Sequence, residues 1–297
     1  MPALRAFAGH VDCVLVVTQP DRPAGRGHKL QSTPVRVAAL ELGIPTIEPE
    51  KLRDALDILS ACAADLYAVA SYGKIVPQAV LDLPRLGALN VHPSLLPRYR
   101  GATPLQAQLR DGVALGGVTI IAMDAGMDTG DIVLRAERRI GIGETYGELH
   151  DRFAELGAQL LARACDLVFD GRATRTPQAG LEDPGVVAAT LTRPLRKDDL
   201  VVAWAWPARR VVDHIRSLAP QPGARATLDG EATAVKILEA RVAPDAAATG
   251  SLSERGDLAV VCGDGARVVI DRLVPANRNA MTGRAYLTAK HARELAR

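Results

Sequence analysis

The strongest constraint on the fold is an alternation of short apolar segments and helical patterns over the first 170 residues. Residues 11–18 are almost continuously apolar, as in a parallel strand that is buried on both faces. Thr33 and Pro34 have the pattern of an N-cap followed by a proline in the first helical turn. Residues 145–170 repeat apolar side chains at intervals of three and four, which indicates a long amphipathic helix. Together these patterns predict an α/β domain with a mostly parallel sheet.

The character of the sequence changes after Gly171. Residues 172–199 are rich in Thr, Pro, Gly and Arg and have little periodicity, which is typical of an interdomain linker. Residues 200–297 contain one amphipathic helix and several strand patterns, with an Asp264-Gly265 turn that suits a hairpin. We therefore predict an α/β domain at 1–171, a linker at 172–199, and a small β-barrel domain at 200–297.

Composition excludes several classes of protein. Hydrophobic residues make up 48% and charged residues 24% of the chain, the usual mixture for a globular protein. The four cysteines lie far apart in sequence, so we expect neither a zinc site nor a redox pair. The N-terminal residues lack the apolar core of a signal peptide, and no apolar run reaches the length of a membrane span. These features predict a cytoplasmic protein that has no contact with membranes.

Charge is unevenly distributed along the chain. Residues 200–297 contain 14 Lys and Arg against 10 Asp and Glu, whereas the rest of the chain has a small acidic excess. A basic C-terminal domain permits a partner that carries phosphates, although a solvated surface explains the same count. Aromatic residues are only 3% of the chain, which argues against nucleic-acid binding by base stacking.

The densest group of chemically active residues follows a predicted strand at 87–91. Asn90 and His92 are two positions apart, so a strand directs both side chains to the same side. In open α/β sheets, ligands bind beyond the carboxyl ends of the strands. Asn90 offers an amide donor, and His92 offers a group that titrates near neutral pH. This edge of the sheet is therefore the candidate site.

A second polar turn, residues 123–131, follows another predicted strand and carries three carboxylates. A carboxylate that faces a histidine stabilises its charged form. Asn, His and Asp together suit acyl transfer, in which Asn stabilises an oxyanion and His moves protons. No Ser or Cys is placed as a nucleophile, which favours direct transfer. On spacing alone, the simpler explanation is favoured, in which His92 is a satisfied loop histidine and the acidic turn is solvated.

Several motifs resemble those of the folate-dependent formyltransferases. The resemblance rests on Asn90-Val91-His92-Pro93-Ser94-Leu95-Leu96-Pro97, Arg100-Gly101-Ala102-Thr103-Pro104, Gly117-Val118-Thr119 and Met127-Asp128-Thr129-Gly130-Asp131. Within the family, the segments at 18–27 and 72–77 resemble the members that formylate methionyl initiator tRNA. The resemblance covers nearly the whole chain and extends to residues 220–224. It implies a Rossmann-like formyltransferase domain and a C-terminal OB-like β-barrel that adds contacts to tRNA.

The resemblance also implies roles for individual residues. The family's catalytic residues fall on Asn90, His92 and Asp128. Its tetrahydrofolate-contacting stretch falls on Ser94, Leu95, Leu96 and Pro97, and its tRNA-contacting loop implies binding by Arg22, Arg26 and Lys29. The implied reaction moves a formyl group from 10-formyltetrahydrofolate to the α-amino group of methionyl initiator tRNA. We expect a monomer that uses no metal.

The N-terminus departs from the family pattern. Members of the family begin with a strand and a Gly-Thr-Pro-Phe-type loop, whereas residues 1–10 here have the pattern of the following helix. We expect the absent strand to belong at the middle of the sheet, beside residues 11–18, and attribute its absence to a misassigned start codon or a shortened sequence. A native N-terminus at Met1 or Pro2, measured by mass spectrometry, would contradict this hypothesis.

Two other functions stay open at this point. One is a folate-dependent formyltransferase that acts on a small amine, against which the loop at 22–29 argues. The other is a catalytically inactive tRNA-binding protein, a consequence of the missing strand, against which the intact Asn90, His92 and Asp128 argue. Formylation of a small amine without tRNA supports the first alternative, and tRNA binding without turnover supports the second.

Overall fold

The computed structural model describes residues 1–24, 29–228, 233–244 and 256–295. Contacts divide the chain into two units, each built from discontinuous segments. The first unit comprises Met1–Pro104, Gly116–Arg138 and Asp151–Thr192. The second unit comprises Leu105–Leu115, Arg139–His150 and Arg193–Arg297. The domain boundaries expected at residues 171 and 199 stay a prediction.

Strands and helices alternate through the first two thirds of the chain. The strands are β1 (Val16–Val17), β2 (Arg22–Ala24), β3 (Lys29–Gln31), β4 (Thr46–Ile47), β5 (Tyr67–Ala70), β6 (Ala88–His92), β7 (Leu115–Ala122) and β8 (Ile132–Arg139). The helices are α1 (Pro2–Ala8), α2 (Pro34–Glu41), α3 (Leu56–Ala61), α4 (Gln78–Leu81), α5 (Pro104–Arg110), α6 (Tyr146–Phe169) and α7 (Pro184–Ala189), with a 3₁₀ turn at Leu52–Ala55. The Thr33 hydroxyl accepts a hydrogen bond from the Arg36 amide, which confirms the predicted cap of α2.

The strands of the first unit form two parallel pairings and one antiparallel extension. β1 pairs with β4, and β5 pairs with β6, both in parallel. β7 runs antiparallel to β6, and β8 lies beyond β7 in the order β5-β6-β7-β8. Among the described residues β1 pairs with β4 alone, and only residues 16–17 of the predicted strand at 11–18 are extended in a ladder. The predicted Rossmann-like architecture is confirmed.

Helix α6 covers one face of the sheet at close range. Apolar side chains of this helix, among them Leu161 and Cys165, join Leu89 and Ile120 of the strands in one buried cluster. Gly157 permits the close approach, because a Cβ at this position would lie 2.6 Å from Cγ1 of Val91. The sheet that carries Asn90 and His92 therefore rests on a rigid layer.

The segment expected as a linker, 172–199, is structured. It contains α7 and a 3₁₀ turn at Lys197–Leu200. Two bridges tie it to the first unit, where Thr176 pairs with Ile132 and Thr192 pairs with Gly101. We call residues 174–192 the strap, because this segment crosses the loops that follow β6 and β7.

The second unit is built on an antiparallel sheet and a helix. Its strands are β9 (Ala224–Ala226), β10 (Val235–Val242), β11 (Ala259–Val261), β12 (Arg267–Val274) and β13 (Met281–Thr282), in the order β11-β12-β10-β9 with β13 beside β12. Helix α8 (Ala208–Leu218) packs its Val211, Ile215 and Leu218 into the core of this sheet. The predicted OB-like domain is confirmed as a curled antiparallel half-barrel. A C-terminal helix, α9 (Gly283–Leu295), was absent from the predicted strand-rich pattern.

The described residues contain neither a candidate metal site nor a candidate membrane span. In that part of the chain, no group of three or more His, Cys, Asp or Glu side chains is placed to hold a metal ion. None of the helices described is both long and apolar enough to cross a bilayer.

Candidate active site

Strand β6 places two of the predicted residues at the middle of a sheet. Asn90 lies between Val69 of β5 and Ile121 of β7 in the pairing register, and His92 ends the strand. Asn90 is half-buried, and its side-chain amide makes no hydrogen bond with any other described residue. It is therefore a donor available to a ligand.

The imidazole of His92 lies between two acceptors. The residue is 4% exposed. Its Nε2 is 2.9 Å from the carbonyl oxygen of Tyr99, and its Nδ1 is 3.5 Å from Oδ1 of Asp128. The longer distance is beyond a strong hydrogen bond, but it is short enough for the carboxylate charge to act on the ring. The structure thus brings His92 and Asp128 together, and Asn90 lies two positions before His92 on the same strand.

The protonation of His92 is set by opposing effects. Burial lowers the pKa of the imidazole, because the charged form loses its hydration. The Asp128 carboxylate and the Tyr99 carbonyl act in the opposite direction, and the Arg100 guanidinium lowers the pKa further. Burial prevails, so the ring is neutral near pH 7 and able to accept a proton.

The loop after β6 is folded by internal hydrogen bonds that direct the Tyr99 carbonyl to His92. The Ser94 hydroxyl donates to the carbonyl of Arg98 at 2.7 Å. The Thr119 hydroxyl of β7 donates to the Ser94 carbonyl at 2.7 Å and accepts from the Leu96 amide at 3.2 Å. Tyr99 has a φ of 61°, a left-handed conformation that is uncommon for a residue with a side chain.

The residues predicted to contact tetrahydrofolate lie in this loop. Ser94, Leu96 and Pro97 are buried, and Leu95 is half-buried. The first three therefore form the interior of the loop, and Leu95 is the one of the four that is partly exposed to a ligand. Their predicted role as donor-binding residues stays a prediction.

Asp128 is held by the turn between β7 and β8. Its Oδ2 accepts a hydrogen bond from the Gly101 amide at 2.8 Å, and its backbone has a φ of 57°. Within the same turn, Oδ1 of Asp124 accepts from the Gly126 amide and the Thr129 hydroxyl at 3.0 and 2.7 Å. Of the three predicted carboxylates, Asp124 thus closes the turn and Asp128 faces the histidine.

Sequence reasoning missed a further residue of this site, Gln178. Its amide nitrogen donates to the carbonyls of Asp128 and Gly130 at 2.9 and 2.7 Å. Its amide oxygen accepts from Nε and Nη2 of Arg100 at 3.1 and 2.7 Å. No local pattern marks Gln178, because it lies in the strap, 50 positions beyond Asp128.

Two of the three residues predicted to contact tRNA, Arg22 and Lys29, lie in a hairpin rather than a plain loop. β2 pairs with β3 in antiparallel register, with Arg22 opposite Gln31 and Ala24 opposite Lys29. Arg26 lies outside the described residues, and the side chains of Arg22 and Lys29 are not described either. The foot of the hairpin is anchored, because Asp21 accepts hydrogen bonds from Ser32 and Arg36.

A cavity of about 530 Å³ opens at the foot of the hairpin, within the first unit. Its lining residues are Gln19, Pro20, Gln31, Ser32, Thr33, Pro34, Tyr72, Gly73 and Lys74. Gln19 donates to the Tyr72 carbonyl at 2.8 Å, which joins the chain after β1 to the chain after β5. Strand β5 is paired with the strand of Asn90, so the cavity opens at the same edge of the sheet.

This arrangement can carry out acyl transfer. It contains an amide donor with no hydrogen-bond partner among the described residues, a neutral buried imidazole and a carboxylate that stabilises the imidazolium form of that ring. Among the described residues, no Ser or Cys is hydrogen-bonded to His92. A nucleophile that could form a covalent intermediate is therefore not placed beside this ring in the described part of the chain.

Two protein-family models match the sequence. The pattern described as formyl transferase matches residues 1–165, and that of the formyl transferase C-terminal domain matches residues 194–291. Curated relatives named methionyl-tRNA formyltransferase include a protein of Syntrophus aciditrophicus, 43% identical over 90% of this chain and 84% of the relative. Another, from Nitrobacter winogradskyi, is 40% identical over 97% of this chain and 92% of the relative.

Solved structures share the fold at low sequence identity. An N-formyltransferase from Helicobacter canadensis, in complex with folinic acid and dTDP-3-aminofucose, has a TM-score of 0.64 and 16% identity over 90% of this chain and 93% of that chain. HypX from Aquifex aeolicus in complex with tetrahydrofolic acid has a TM-score of 0.60 and 16% identity over 84% of this chain and 43% of that chain. At sequence identities this low, the comparison shows only that the fold is shared.

The patterns, the relatives and the geometry at the sheet edge agree. The matched regions contain the strand of Asn90 and His92, the turn of Asp128 and the half-barrel of the second unit. This chain, with its catalytic and C-terminal regions both present, belongs to the formyl transferase family.

Proposed function

We propose that this enzyme transfers a formyl group from 10-formyltetrahydrofolate to the α-amino group of the methionine carried by initiator tRNA. The proposal rests on the His92–Asp128 pair, whose Nδ1 and Oδ1 are 3.5 Å apart, and on the Asn90 amide of the same strand, which has no hydrogen-bond partner among the described residues. The names of the relatives support the same substrate. They do not favour a small amine, and the structures of other formyltransferases resemble this chain too distantly to argue for one.

Asn90 stabilises the developing negative charge. The attacking amine forms a bond to the formyl carbon, and the carbonyl oxygen gains charge as the carbon becomes tetrahedral. A hydrogen bond from Asn90 to that oxygen is worth about 3 kcal/mol of transition-state free energy, by analogy with single oxyanion donors elsewhere. The bond from carbon to N10 of the folate then breaks and the formyl group stays on the amine.

His92 moves the proton that the amine must lose. Because its pKa is lowered by burial, the imidazole is neutral and can accept this proton, and Asp128 stabilises the resulting cation. The proton then passes to N10 of the leaving tetrahydrofolate, which balances the transfer. Positioned acid–base groups of this kind accelerate reactions by roughly 10² to 10⁴-fold. In this structure Nε2 contacts the carbonyl oxygen of Tyr99. This contact must break before Nε2 can take a proton from the substrate amine.

The tRNA is bound by cationic residues of the hairpin. Arg22 and Lys29 lie in a short antiparallel pair whose foot is anchored by Asp21, and Arg26 lies between them in the sequence. The basic excess of residues 200–297 adds contacts with phosphates. Backbone groups of the loop at 94–97 and the flank of Leu95 contact the folate. We infer a monomer that works in the cytoplasm, where charged initiator tRNA is used.

The test is formylation of methionyl initiator tRNA by the purified chain with 10-formyltetrahydrofolate. We expect N-formylmethionyl-tRNA as the product and loss of its formation in His92→Ala. A dTDP-aminosugar and an elongator methionyl-tRNA serve as competing acceptors. Preferential formylation of the sugar would overturn the proposal. Binding of tRNA without turnover would show instead an inactive tRNA-binding protein.

A further inference from the structure

Every polar group of the Gln178 side chain is used within the catalytic region. The residue is 5% exposed. Its NH₂ group donates one hydrogen bond to the carbonyl of Asp128 and one to that of Gly130, and its oxygen accepts two from the guanidinium of Arg100. An amide that satisfies both of its donors and both acceptor sites has a single orientation.

The contacts of Gln178 lie on both sides of the catalytic pair. Asp128 is in the left-handed region, with a φ of 57°, a conformation that costs a residue other than glycine roughly 1 kcal/mol or more. The hydrogen bonds to its carbonyl and to Gly130 hold the turn in that shape. Arg100 follows Tyr99, whose carbonyl faces Nε2 of His92.

The strap adds contacts that fix the same two loops. The amide of Thr192 donates to the Arg100 carbonyl at 2.8 Å, and the Thr103 amide donates to the Thr192 hydroxyl at 3.1 Å. A Cβ on Gly101 would collide with the carbonyl of Thr192, so the strap and the loop are in direct backbone contact. Gln178 is the strap residue that reaches the turn of Asp128.

We propose that Gln178 is a positioning residue, which holds the carboxylate of Asp128 against His92 by fixing the backbone of the Asp128 turn. The role rests on the proposed function, in which Asp128 stabilises the protonated imidazole. Gln178 itself touches no substrate. Its effect should therefore be on the rate of transfer and on the titration of His92, and not on substrate affinity.

Two substitutions separate the halves of the amide. Gln178→Met removes the donors and the acceptor. Gln178→Glu keeps an oxygen for Arg100 but places a carboxylate against the carbonyls of Asp128 and Gly130. We expect both variants to lower kcat by about 10- to 100-fold with KM for both substrates within about threefold, because misplacement by about 1 Å costs up to about 10² in rate. Gln78→Met, at an exposed site with a bond to Asp82, is the matched control and should keep the kcat of the unaltered chain.

A double-mutant cycle tests whether Gln178 acts through Asp128. If it does, Gln178→Met combined with Asp128→Asn should be no slower than Asp128→Asn alone, within about twofold. If the double variant instead loses kcat by the product of the two single-variant factors, the proposal is overturned. Retention of full kcat by Gln178→Glu would also overturn it.

A titration without substrate makes the test independent of the proposed function. The chain has six histidines, and the NMR signals of His92 are identified by their absence in His92→Ala. Because Asp128 raises the pKa of His92 against the effects of burial and Arg100, we expect a lower pKa in both Gln178→Met and Asp128→Asn. An unchanged pKa in folded Gln178→Met would overturn the proposal. If the unaltered chain fails to formylate methionyl-tRNA, the proposed function is contradicted instead. The titration of His92 can still be measured in that case and still tests the role of Gln178.

Discussion

Two buried histidines of this chain lie in opposite surroundings. His92 and His214 are each 4% exposed. Both ring nitrogens of His92 face acceptors, the carbonyl of Tyr99 and the carboxylate of Asp128. The ring nitrogens of His214 have no hydrogen-bond partner among the described residues, and the ring lies edge-on to Trp206 with centroids 5.2 Å apart. Burial alone therefore does not distinguish a functional histidine from a structural one.

The charges around the two rings make the distinction. Burial lowers the pKa of both. At His92 the Asp128 carboxylate opposes this effect, so a proton that arrives during a reaction is stabilised. At His214 the guanidinium groups of Arg110 and Arg210 reinforce it and outweigh the opposing Asp199 carboxylate and Leu200 backbone, so the pKa falls to about 4. His214 thus acts as an apolar ring of the second unit's core.

The carboxylates Asp128 and Asp213 of the two regions differ in the same way. Asp213 is 2.6 Å from Nε of Arg216, and this guanidinium also donates to the carbonyls of Gly141, Glu144 and Leu109, all in the second unit. This pair has its charges fully matched by fixed groups. The His92–Asp128 pair is separated by 3.5 Å, and the Asn90 amide on the strand of His92 has no hydrogen-bond partner in the described part of the chain, so this region can still bind a substrate.

The sharpest test of the comparison substitutes each histidine by phenylalanine. His92→Phe should lower kcat by roughly 10² to 10⁴-fold, because the proton carrier is lost. His214→Phe should leave kcat within about threefold. Formylation assays and urea unfolding check both. Equal losses of activity in the two variants would contradict the division of roles.

The second test concerns the matched pair. Arg216→Met leaves the carboxylate of Asp213 buried with only the exposed Arg209 as a partner, so we expect a loss of about 3–5 kcal/mol in the free energy of unfolding. Arg241→Met, at an exposed pair with Asp271, should cost no more than about 1 kcal/mol. Urea denaturation measures both. Similar small losses would show that the buried pair is not a structural element.

The sequence predicted correctly those elements whose formation depends on residues that are close together in the chain. The cap at Thr33, the helix at residues 145–170 and the hairpin turn at Asp264-Gly265 depend on neighbours in the chain, and the structure confirms them. Asn90 and His92 were found because a strand pattern ends at two unusual polar residues. Asp128 was found from its turn and the family resemblance.

The rest of the site depends on contacts between distant segments. Gln178 lies in a stretch without periodicity, and its partners at Asp128 and Arg100 are 50 and 78 positions away. The hairpin of β2 and β3 lacks an alternating apolar pattern, since it begins with Arg22-Pro23. Helix α9 adds only Tyr286 and Leu287 to the described core of the second unit, and so short an apolar face did not predict a helix.

A third prediction concerns the layer beneath the catalytic strand. Gly157→Ala would place a Cβ 2.6 Å from Val91 of β6 and 3.5 Å from Val118 of β7. We expect a loss of about 1–3 kcal/mol in the free energy of unfolding, despite the better helix propensity of alanine. Gly143→Ala, which has no neighbouring atom within 4 Å, is the control and should change the free energy little. A stable Gly157→Ala variant would show that the helix can move away from the sheet.

The smallest expected effect is the pH dependence that His214 imposes. Its pKa is about 4 in the folded chain and about 6.5 when unfolded, so between these values the unfolded state binds more protons. Stability contributed by the neutral ring is therefore present above pH 6.5 and falls as the pH decreases towards 4. From pH 7 to pH 5 we expect His214→Phe to lose less stability than the unaltered chain, by on the order of 1–2 kcal/mol. Urea unfolding at the two pH values measures the difference. Because His92 is unchanged in both proteins, its own titration cancels, and equal losses would mean that His214 is protonated in the folded chain as readily as in the unfolded one.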